Sequence, residues 1–206
     1  MTLLLTQILA SAAESMWRIE PTLGRYTNDT SQHELNLAFH YAIELRPWFS
    51  WLDCDFDVMK PNVDSDRPDI ILHRRGTHAL NYLVIEVKRA AYRKGVKPDL
   101  ERIRLQWFAQ PLNYRFGASV VLADNSPGSE VRLLERGNEG RQPTMPRSDL
   151  VIRNDGTDQD RTALHAIGDR IVAEKASYPA ANTADLECEL DRLVAQTYRF
   201  VPTRGV

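Results

Sequence analysis

The sequence predicts an α/β fold in which a mixed β-sheet is flanked by helices. Segments with apolar residues at helical spacing alternate with short, strongly apolar runs of the kind that form buried strands. One helical segment separates the third run from the fourth, which is the connection that a parallel strand pair needs. The chain has 206 residues, of which 43% are hydrophobic and 26% charged. That length and composition support either one domain with a full core or one domain with a helical appendage.

The elements follow from apolar periodicity and from the turn residues between them. The predicted helices, each with an apolar side, cover 2–17, 31–45, 98–109, 162–177 and 182–200. The predicted strands, each a short apolar run, cover 52–58, 69–74, 80–88, 115–122, 130–135 and 150–152. In the second helix we expect the apolar side to carry Leu35, Ala38, Phe39 and Ala42. The aromatic residues Trp107, Phe108 and Tyr114 are expected in the core.

These elements divide the chain into a core and an appendage. Residues 1–153 contain the predicted sheet and the first three helices, and 154–206 form a C-terminal helical extension. The last helix carries an apolar stripe of Leu186, Leu190, Leu193, Val194 and Thr197. We expect this stripe to pack on the core or on a second copy of the chain. A homodimer is compatible with the sequence but is not required by it.

Two acidic residues and a lysine flank the strongest pair of predicted strands. Asp69 precedes Ile70-Ile71-Leu72, and Glu86 and Lys88 follow Leu83-Val84-Ile85. If the segment folds as an antiparallel hairpin about Thr77 and His78, Leu72 pairs with Leu83, Ile71 with Val84, and Asp69 with Glu86. Paired residues project to the same face, and side chains alternate along a strand. Asp69, Glu86 and Lys88 should therefore converge.

The convergence of Asp69, Glu86 and Lys88 has two interpretations, one chemical and one structural. Two close carboxylates repel each other unless a cation or a proton lies between them. A hard divalent cation such as Mg²⁺ prefers oxygen ligands and can activate a bound water, while a lysine can stabilise charge that develops on phosphorus. The structural alternative is that Glu-x-Lys only places alternating charges on a sheet face and Pro-Asp is an ordinary turn. The pairing of both features at hairpin register favours the metal site.

Pro68, Asp69, Glu86 and Lys88 together resemble the motif of the PD-(D/E)XK nuclease superfamily. The resemblance extends over roughly residues 31–123, about half of the chain. It implies a restriction-endonuclease-like αβββαβ core. It also implies hydrolysis of DNA phosphodiester bonds with Mg²⁺ or Mn²⁺, with Asp69 and Glu86 as metal ligands and Lys88 assisting the nucleophile.

The resemblance implies two further site residues. In such proteins a glutamate on an earlier helix often completes the site, and Glu34 is the match. The main-chain carbonyl between the glutamate and the lysine, here that of Val87, is also a metal ligand. Glu34 has an alternative role, because Ser31-Gln32-His33-Glu34 is also a capping box in which the glutamate satisfies the Ser31 amide.

Basic residues are concentrated around the motif, although the net charge of the chain is only −2. The residues expected to bind nucleic-acid phosphates are Arg74, Arg75, Arg89, Arg93, Lys94 and Lys97. The alternative is a solvated helix face. DNA is expected as the substrate rather than RNA. A second function class is a nuclease-fold module that has lost catalysis and binds nucleic acid or a protein partner.

The remaining features bear on compartment. The two cysteines, Cys54 and Cys188, lie far apart in the sequence and have no spacing typical of a metal site, which favours a reducing, cytoplasmic environment. No apolar run approaches the length of a transmembrane helix, so no membrane partner is expected. None of the five histidines has a spacing typical of zinc ligands.

Overall fold

The computed structural model describes residues 1–25, 33–57, 67–123, 129–138 and 140–203. Its centre is a five-stranded mixed sheet in the order β1-β2-β3-β4-β5. The strands are Asp53–Phe56 (β1), Ile70–His73 (β2), Asn81–Arg89 (β3), Phe116–Leu122 (β4) and Ser129–Glu135 (β5). The β3–β4 pair is parallel, and the other three described pairs are antiparallel. The chain is therefore α/β, as the sequence predicts.

Helices cover both faces of the sheet. They are Thr2–Ile19 (α1), His33–Leu45 (α2), Val96–Arg102 (α3), Asp158–Ser177 (α4) and Ala184–Thr197 (α5). A short 3₁₀ helix, Ala90–Gly95, leads from β3 into α3, and a π-helical segment, Ile103–Trp107, continues α3. A separate two-stranded sheet pairs Leu150–Asn154 (β6) with Tyr198–Pro202 (β7).

Alternate residues of the central strands enter two different apolar clusters. Leu83, Ile85 and Val87 of β3 belong to the larger cluster, which includes side chains of α1, α2, α4 and α5. Val84 belongs to the smaller cluster, which includes side chains of α3 and the π-helical segment. Alternation therefore places Glu86 and Lys88 on the same face as Val84, beneath α3 and the π-helical segment.

The π-helical segment lies unusually close to β4. A Cβ atom on Gly117 would stand 2.3 Å from the Cγ2 atom of Ile103, well inside van der Waals contact. Glycine at this position is what lets the segment approach the strand backbone. The approach brings Trp107, fully buried at the end of the segment, against the central strands.

The predicted strands and helices agree with the structure to within a few residues, with three differences. The buried face of α2 carries Leu37, Ala38, Tyr41, Ala42 and Leu45. The prediction of Ala38 and Ala42 on this face was correct, but Leu35 and Phe39 are about half exposed, so placing them there was wrong. Ser31, the predicted cap of this helix, lies outside the described residues. The expected core residues Trp107, Phe108 and Tyr114 are all buried.

The other two differences are at helix ends. The helix predicted from Thr162 begins earlier, at Asp158, with a capping box between Thr157 and Asp160. The helix predicted to reach Phe200 ends at Thr197, because Tyr198–Pro202 pairs with β6. Aromatic and β-branched residues favour a strand there.

The C-terminal helices share the larger apolar cluster with the sheet. Leu164, Ile167 and Ile171 of α4 and Leu190 and Val194 of α5 belong to it. Of the predicted stripe, Leu190, Val194 and Thr197 are buried, and Leu186 and Leu193 pack partly buried against the cluster. Ion pairs add to the packing, since Arg74 contacts Asp169 and Arg115 contacts Asp191 at 2.5 Å. No described helix is both long and apolar enough to cross a membrane.

Candidate functional site

The β2–β3 register matches the one counted from the sequence. Leu72 pairs with Leu83 and Ile71 with Val84, and the next pair towards the site is Ile70 with Ile85. A register shift between Leu72 and His73 lies at the turn end of the hairpin, away from the acidic residues. Asp69 immediately precedes β2, so the ladder brings it level with Glu86.

The main-chain N–H and carbonyl of Val87 contact Asp69 and Lys88, respectively. The N–H donates a 2.6 Å hydrogen bond to Oδ2 of Asp69. The carbonyl accepts a 3.2 Å hydrogen bond from Nζ of Lys88. The Val87 side chain enters the larger apolar cluster on the other side of the sheet. Asp69, the Val87 carbonyl and Lys88 are thus adjacent.

Glu86 is almost completely buried, with 1% of its surface exposed. The indole nitrogen of Trp107 donates a hydrogen bond to Oε1 of Glu86 at 2.9 Å. On the other side, Oε2 lies 3.6 Å from a guanidinium nitrogen of Arg102. Both oxygens of this carboxylate therefore have a partner from α3 or from the π-helical segment.

Lys88 is surrounded by acidic side chains from different elements. Its Nζ atom lies 3.6 Å from Glu34 at the start of α2 and 4.0 Å from Asp99 on α3. Asp99 is itself buried, accepts a 3.5 Å hydrogen bond from Ser119 on β4, and lies 3.8 Å from Arg102. The four predicted catalytic residues Asp69, Glu86, Lys88 and Glu34 are therefore in one cluster, and Asp99 and Arg102 belong to it.

Burial and mutual repulsion shift the pKa values of the clustered side chains. Burial, followed by the charge of Asp69, raises the pKa of Glu86 to about 8. Burial also raises the pKa of Asp69 to about 6, although the Val87 N–H and Lys88 oppose the change. Burial alone would lower the pKa of Lys88, but the surrounding carboxylates, with Asp99 first, raise it. In the absence of a cation, these shifts favour a protonated carboxyl group in the site.

The donor set suits a hard divalent cation in charge and chemistry. The four carboxylates, Asp69, Glu86, Glu34 and Asp99, face only Lys88 and Arg102 in the described cluster, so full ionisation leaves two negative charges in excess. Oxygen ligands, here Asp69, Glu86 and the Val87 carbonyl, are those that Mg²⁺ prefers. In the described ranges, however, no three His, Cys, Asp or Glu side chains are already arranged around a common metal position. A cation would therefore depend on the carbonyl and on water for its remaining ligands.

The residues predicted to bind nucleic acid fall at two ends of the sheet. Lys94 and Lys97 are exposed on either side of Gly95, where an added Cβ atom would lie 3.4 Å from the Lys88 side chain. Arg89 is mostly buried, with its guanidinium over the ring of Tyr92 at 5.8 Å. Nothing is described for the side chain of Arg93.

Arg74 and Arg75 follow β2, at the opposite end of that strand from Asp69. Arg74 contacts Asp169, and Arg75 forms ion pairs with Asp55 and, at 3.7 Å, with Asp53. The structure does not bring these two arginines to the acidic cluster.

Three members of the cluster were not predicted from the sequence. The sequence pattern assigns no site role to Asp99 or Arg102, and it predicts Trp107 only as a core residue. A buried tryptophan usually finds a partner for its N–H, so its predicted place in the core indicates a buried acceptor but not which residue supplies it. Asp99 and Arg102 are one turn apart on α3, a spacing that predicts a shared face but not which strand lies beneath it.

Searches against protein-family models, curated proteins and solved structures found no match for this chain.

Proposed function

We propose that this chain is a divalent-metal-dependent nuclease that hydrolyses DNA phosphodiester bonds on a restriction-endonuclease-like fold. The observation that carries the proposal is the convergence of Asp69, Glu86 and Lys88 at one end of the β2–β3 hairpin, with Glu34 reaching the same lysine from α2. The order α2-β1-β2-β3-α3-β4, with β3 and β4 parallel, is compatible with the αβββαβ core of that fold.

Asp69 and Glu86, with the Val87 carbonyl, are the groups that would hold the metal. A bound Mg²⁺ or Mn²⁺ supplies a Lewis acid and lowers the pKa of a coordinated water. Ionisation of both carboxylates is unfavourable in the protein alone, as the raised pKa values of Asp69 and Glu86 indicate. A divalent cation removes that cost, so metal binding and proton release should be coupled.

Lys88 is the residue placed to act on the reacting phosphate. Its ammonium group adjoins the Val87 carbonyl, and the surrounding carboxylates raise its pKa and so keep it charged. A charged ammonium beside the metal ligands can orient the attacking water and stabilise the negative charge that develops on phosphorus. Glu34 and Asp99 hold the lysine in place from two sides, at 3.6 Å and 4.0 Å. Trp107 and Arg102 do the same for Glu86.

One observation favours the alternative, a nuclease-fold module without catalysis that binds nucleic acid or a protein partner. Both oxygens of Glu86 already have partners, and the residue is 1% exposed. A carboxylate bound in this way also fits a structural role in which a proton, rather than a metal, relieves the charge. The two functions differ in whether metal binds and whether DNA is cut.

The test is a cleavage assay with purified protein on linear, circular and single-stranded DNA, and on RNA. Each substrate is incubated with Mg²⁺, Mn²⁺ or a chelator. We expect cleavage only with metal, and loss of cleavage in Asp69→Asn and Glu86→Gln. The matched control is Glu174→Gln, which changes an exposed glutamate on α4 and should cleave as the unaltered protein does.

The outcomes separate the two functions. Metal-dependent cleavage of DNA that needs Asp69 establishes the nuclease, and the products on circular DNA distinguish endonuclease from exonuclease action. DNA binding with no cleavage under any metal, equal in Asp69→Asn and the unaltered protein, favours the module instead. Preferential cleavage of RNA would mean that the substrate is RNA and not DNA, and the proposed catalytic site would stand.

A further inference from the structure

A second cleft lies at the other end of the sheet from the acidic cluster. Its volume is about 530 Å³, and it lies between the turn before β3, the loop before β4 and the segment that joins α4 to α5. Asn81, at the start of β3, is five residues from Glu86, which corresponds to about 16 Å along a strand. The cleft is therefore a separate site.

The lining of this cleft has a strong charge bias. Arg136 and Lys175 are its basic residues, and His78, Asn113, Gln110 and Thr77 supply further hydrogen-bonding groups. No acidic side chain of the described residues lines the cleft. Lys175 has a carboxylate partner at the inner edge, Glu187 at 3.5 Å, whereas no described residue forms an ion pair with Arg136. The charge bias favours an anion, with Arg136 as its main partner.

A small inner recess continues the cleft into the protein. It has a volume of about 20 Å³ and shares Arg136, Lys175 and Asn113 with the cleft, and Glu187, the partner of Lys175, also lines it. Asn81, Tyr82 and Arg115 line it, and each has a buried polar atom without a hydrogen-bond partner in the described part of the chain: Oδ1, the phenol oxygen and Nη1, respectively. Buried polar atoms normally have partners, so three that lack one at the end of a cleft indicate bound solvent or ligand.

We propose that this cleft binds a phosphate monoester, with the phosphate on Arg136 and Lys175 and the rest of the ligand along the polar wall formed by Asn113 and Gln110. Arginine binds phosphate with paired hydrogen bonds, and lysine adds a point charge. The cleft is several times larger than a phosphate ion, so the ligand extends beyond that group. A free mononucleotide and the terminal phosphate of an oligonucleotide both have this chemistry. The proposal is independent of the nuclease function.

The test is isothermal titration calorimetry of the full chain with inorganic phosphate, AMP and adenosine, in a chelator so that no metal bridges phosphate to the acidic cluster. We expect AMP to bind, phosphate to bind more weakly, and adenosine to show no binding. In Arg136→Gln the affinity for AMP should fall about tenfold or more, because a charge-assisted hydrogen bond is removed. The control Arg192→Gln changes an exposed arginine on α5 and should bind AMP normally.

A second pair of variants tests the cleft even if Arg136→Gln does not fold. Ala180 is an exposed residue of the cleft lining. Ala180→Glu introduces a repelling charge there and should abolish AMP binding, whereas Ala180→Gln of similar size should retain it. Absence of AMP and phosphate binding in the unaltered protein, or equal binding by Ala180→Glu and Ala180→Gln, would overturn the proposal.

Oligonucleotides then identify the source of the phosphate. A short 5′-phosphorylated oligonucleotide that binds more tightly than AMP indicates a chain end, and weaker binding indicates a free nucleotide. Equal binding of the 5′-phosphorylated and 5′-hydroxyl forms, together with no response to AMP, would show that the phosphate monoester is not recognised.

Discussion

The indole N–H of Trp107 donates a hydrogen bond to Oε1 of Glu86 at 2.9 Å, and both residues are almost fully buried. The bond joins the π-helical segment to β3 beneath it. The bond gives the buried Glu86 carboxylate a partner and lowers its pKa. Desolvation acts in the opposite direction and has the larger effect. The shape of the segment after α3 is therefore coupled to the charge of a proposed metal ligand.

Replacing Trp107 with Phe should destabilise the protein by about 1–3 kcal/mol, because a buried carboxylate loses a hydrogen bond as well as some packing. Chemical denaturation measures the change. The control is Trp17→Phe on α1, because Trp17 is also buried but its indole nitrogen has no hydrogen-bond partner in the described chain. Equal losses of stability in the two variants would mean that the bond to Glu86 contributes nothing beyond packing.

The stability of the metal-free protein should fall as the pH rises from about 4.5 to about 8. The pKa of Glu86 is raised from 4.5 to about 8 in the folded state. Between these values the unfolded state has released the proton and the folded state has kept it, so rising pH favours unfolding. One such proton gives a slope of up to about 1.4 kcal/mol per pH unit. Unfolding curves measured in a chelator at several pH values test the slope.

Glu86→Gln provides the control for this pH dependence, because glutamine mimics the protonated side chain. The variant should lose much of the slope and be more stable than the unaltered protein at pH 8. Mg²⁺ should act in the opposite direction and stabilise the unaltered protein more at pH 8 than at pH 5.5, because ligands must be ionised to bind metal. A stability profile that Glu86→Gln leaves unchanged would exclude Glu86 as its source.

Replacing Lys88 with Met should separate metal binding from chemistry. The ammonium lies beside the Val87 carbonyl and repels a cation, so its removal should tighten Mg²⁺ binding several-fold. Cleavage should nevertheless fall about a hundredfold or more, the usual effect of losing a group that stabilises transition-state charge. Metal titration by calorimetry and single-turnover cleavage measure the two effects. The control Lys88→Arg retains the charge and should bind metal as the unaltered protein does. Cleavage by Lys88→Met at the normal rate would show that the lysine has no part in the mechanism.

The sequence alone was sufficient to predict the β2–β3 register and the meeting of Asp69, Glu86 and Lys88. Strongly apolar strands allow few registers, since a slip of one residue would move every side chain of the strand to the other face of the sheet. The apolar face of α2 was harder to predict because apolar residues occur nearly all round this helix. Leu35 and Phe39 have the same helical spacing as the buried Ala38 and Ala42 and yet face outward.

The contribution of α3 and the π-helical segment could not be predicted. Periodicity indicates a helix after Pro98 but does not show that its last turn widens, because a π-helical turn has no strong sequence signature. The segment ends at Trp107, whose indole reaches Glu86. Asp99 and Arg102 depend in turn on where α3 crosses the sheet, which is a tertiary property.

Lys94 and Lys97 should bind DNA phosphates if the proposed function is correct, because they are exposed and lie on the two short helices beside Lys88. In the double variant Lys94→Gln/Lys97→Gln, binding should weaken, and the slope of log affinity against log salt should become shallower by about 0.9 for each phosphate that the variant no longer neutralises. Fluorescence anisotropy in a chelator measures this without cleavage. Arg75→Gln is the comparison, since its ion pairs with Asp55 and Asp53 and its place beyond β2 predict little change in slope. A larger change in slope for Arg75→Gln than for the double variant would indicate that nucleic acid binds at the other end of the sheet.

Replacing Gly117 with Ala should disturb the site through the close packing of β4 against the π-helical segment. The new Cβ would lie 2.3 Å from Cγ2 of Ile103, so the π-helical segment must move outward. We expect a loss of about 1–3 kcal/mol in stability, typical of overpacking, together with weaker metal binding as Trp107 moves away from Glu86. Ile103→Leu removes the Cγ2 methyl. The double variant Gly117→Ala/Ile103→Leu should therefore recover part of the stability and part of the metal binding. Gly140→Ala, with no atom within 4 Å of the added Cβ, should leave stability and metal binding unchanged. If Gly117→Ala loses stability but binds metal normally, the position of Trp107 does not control Glu86.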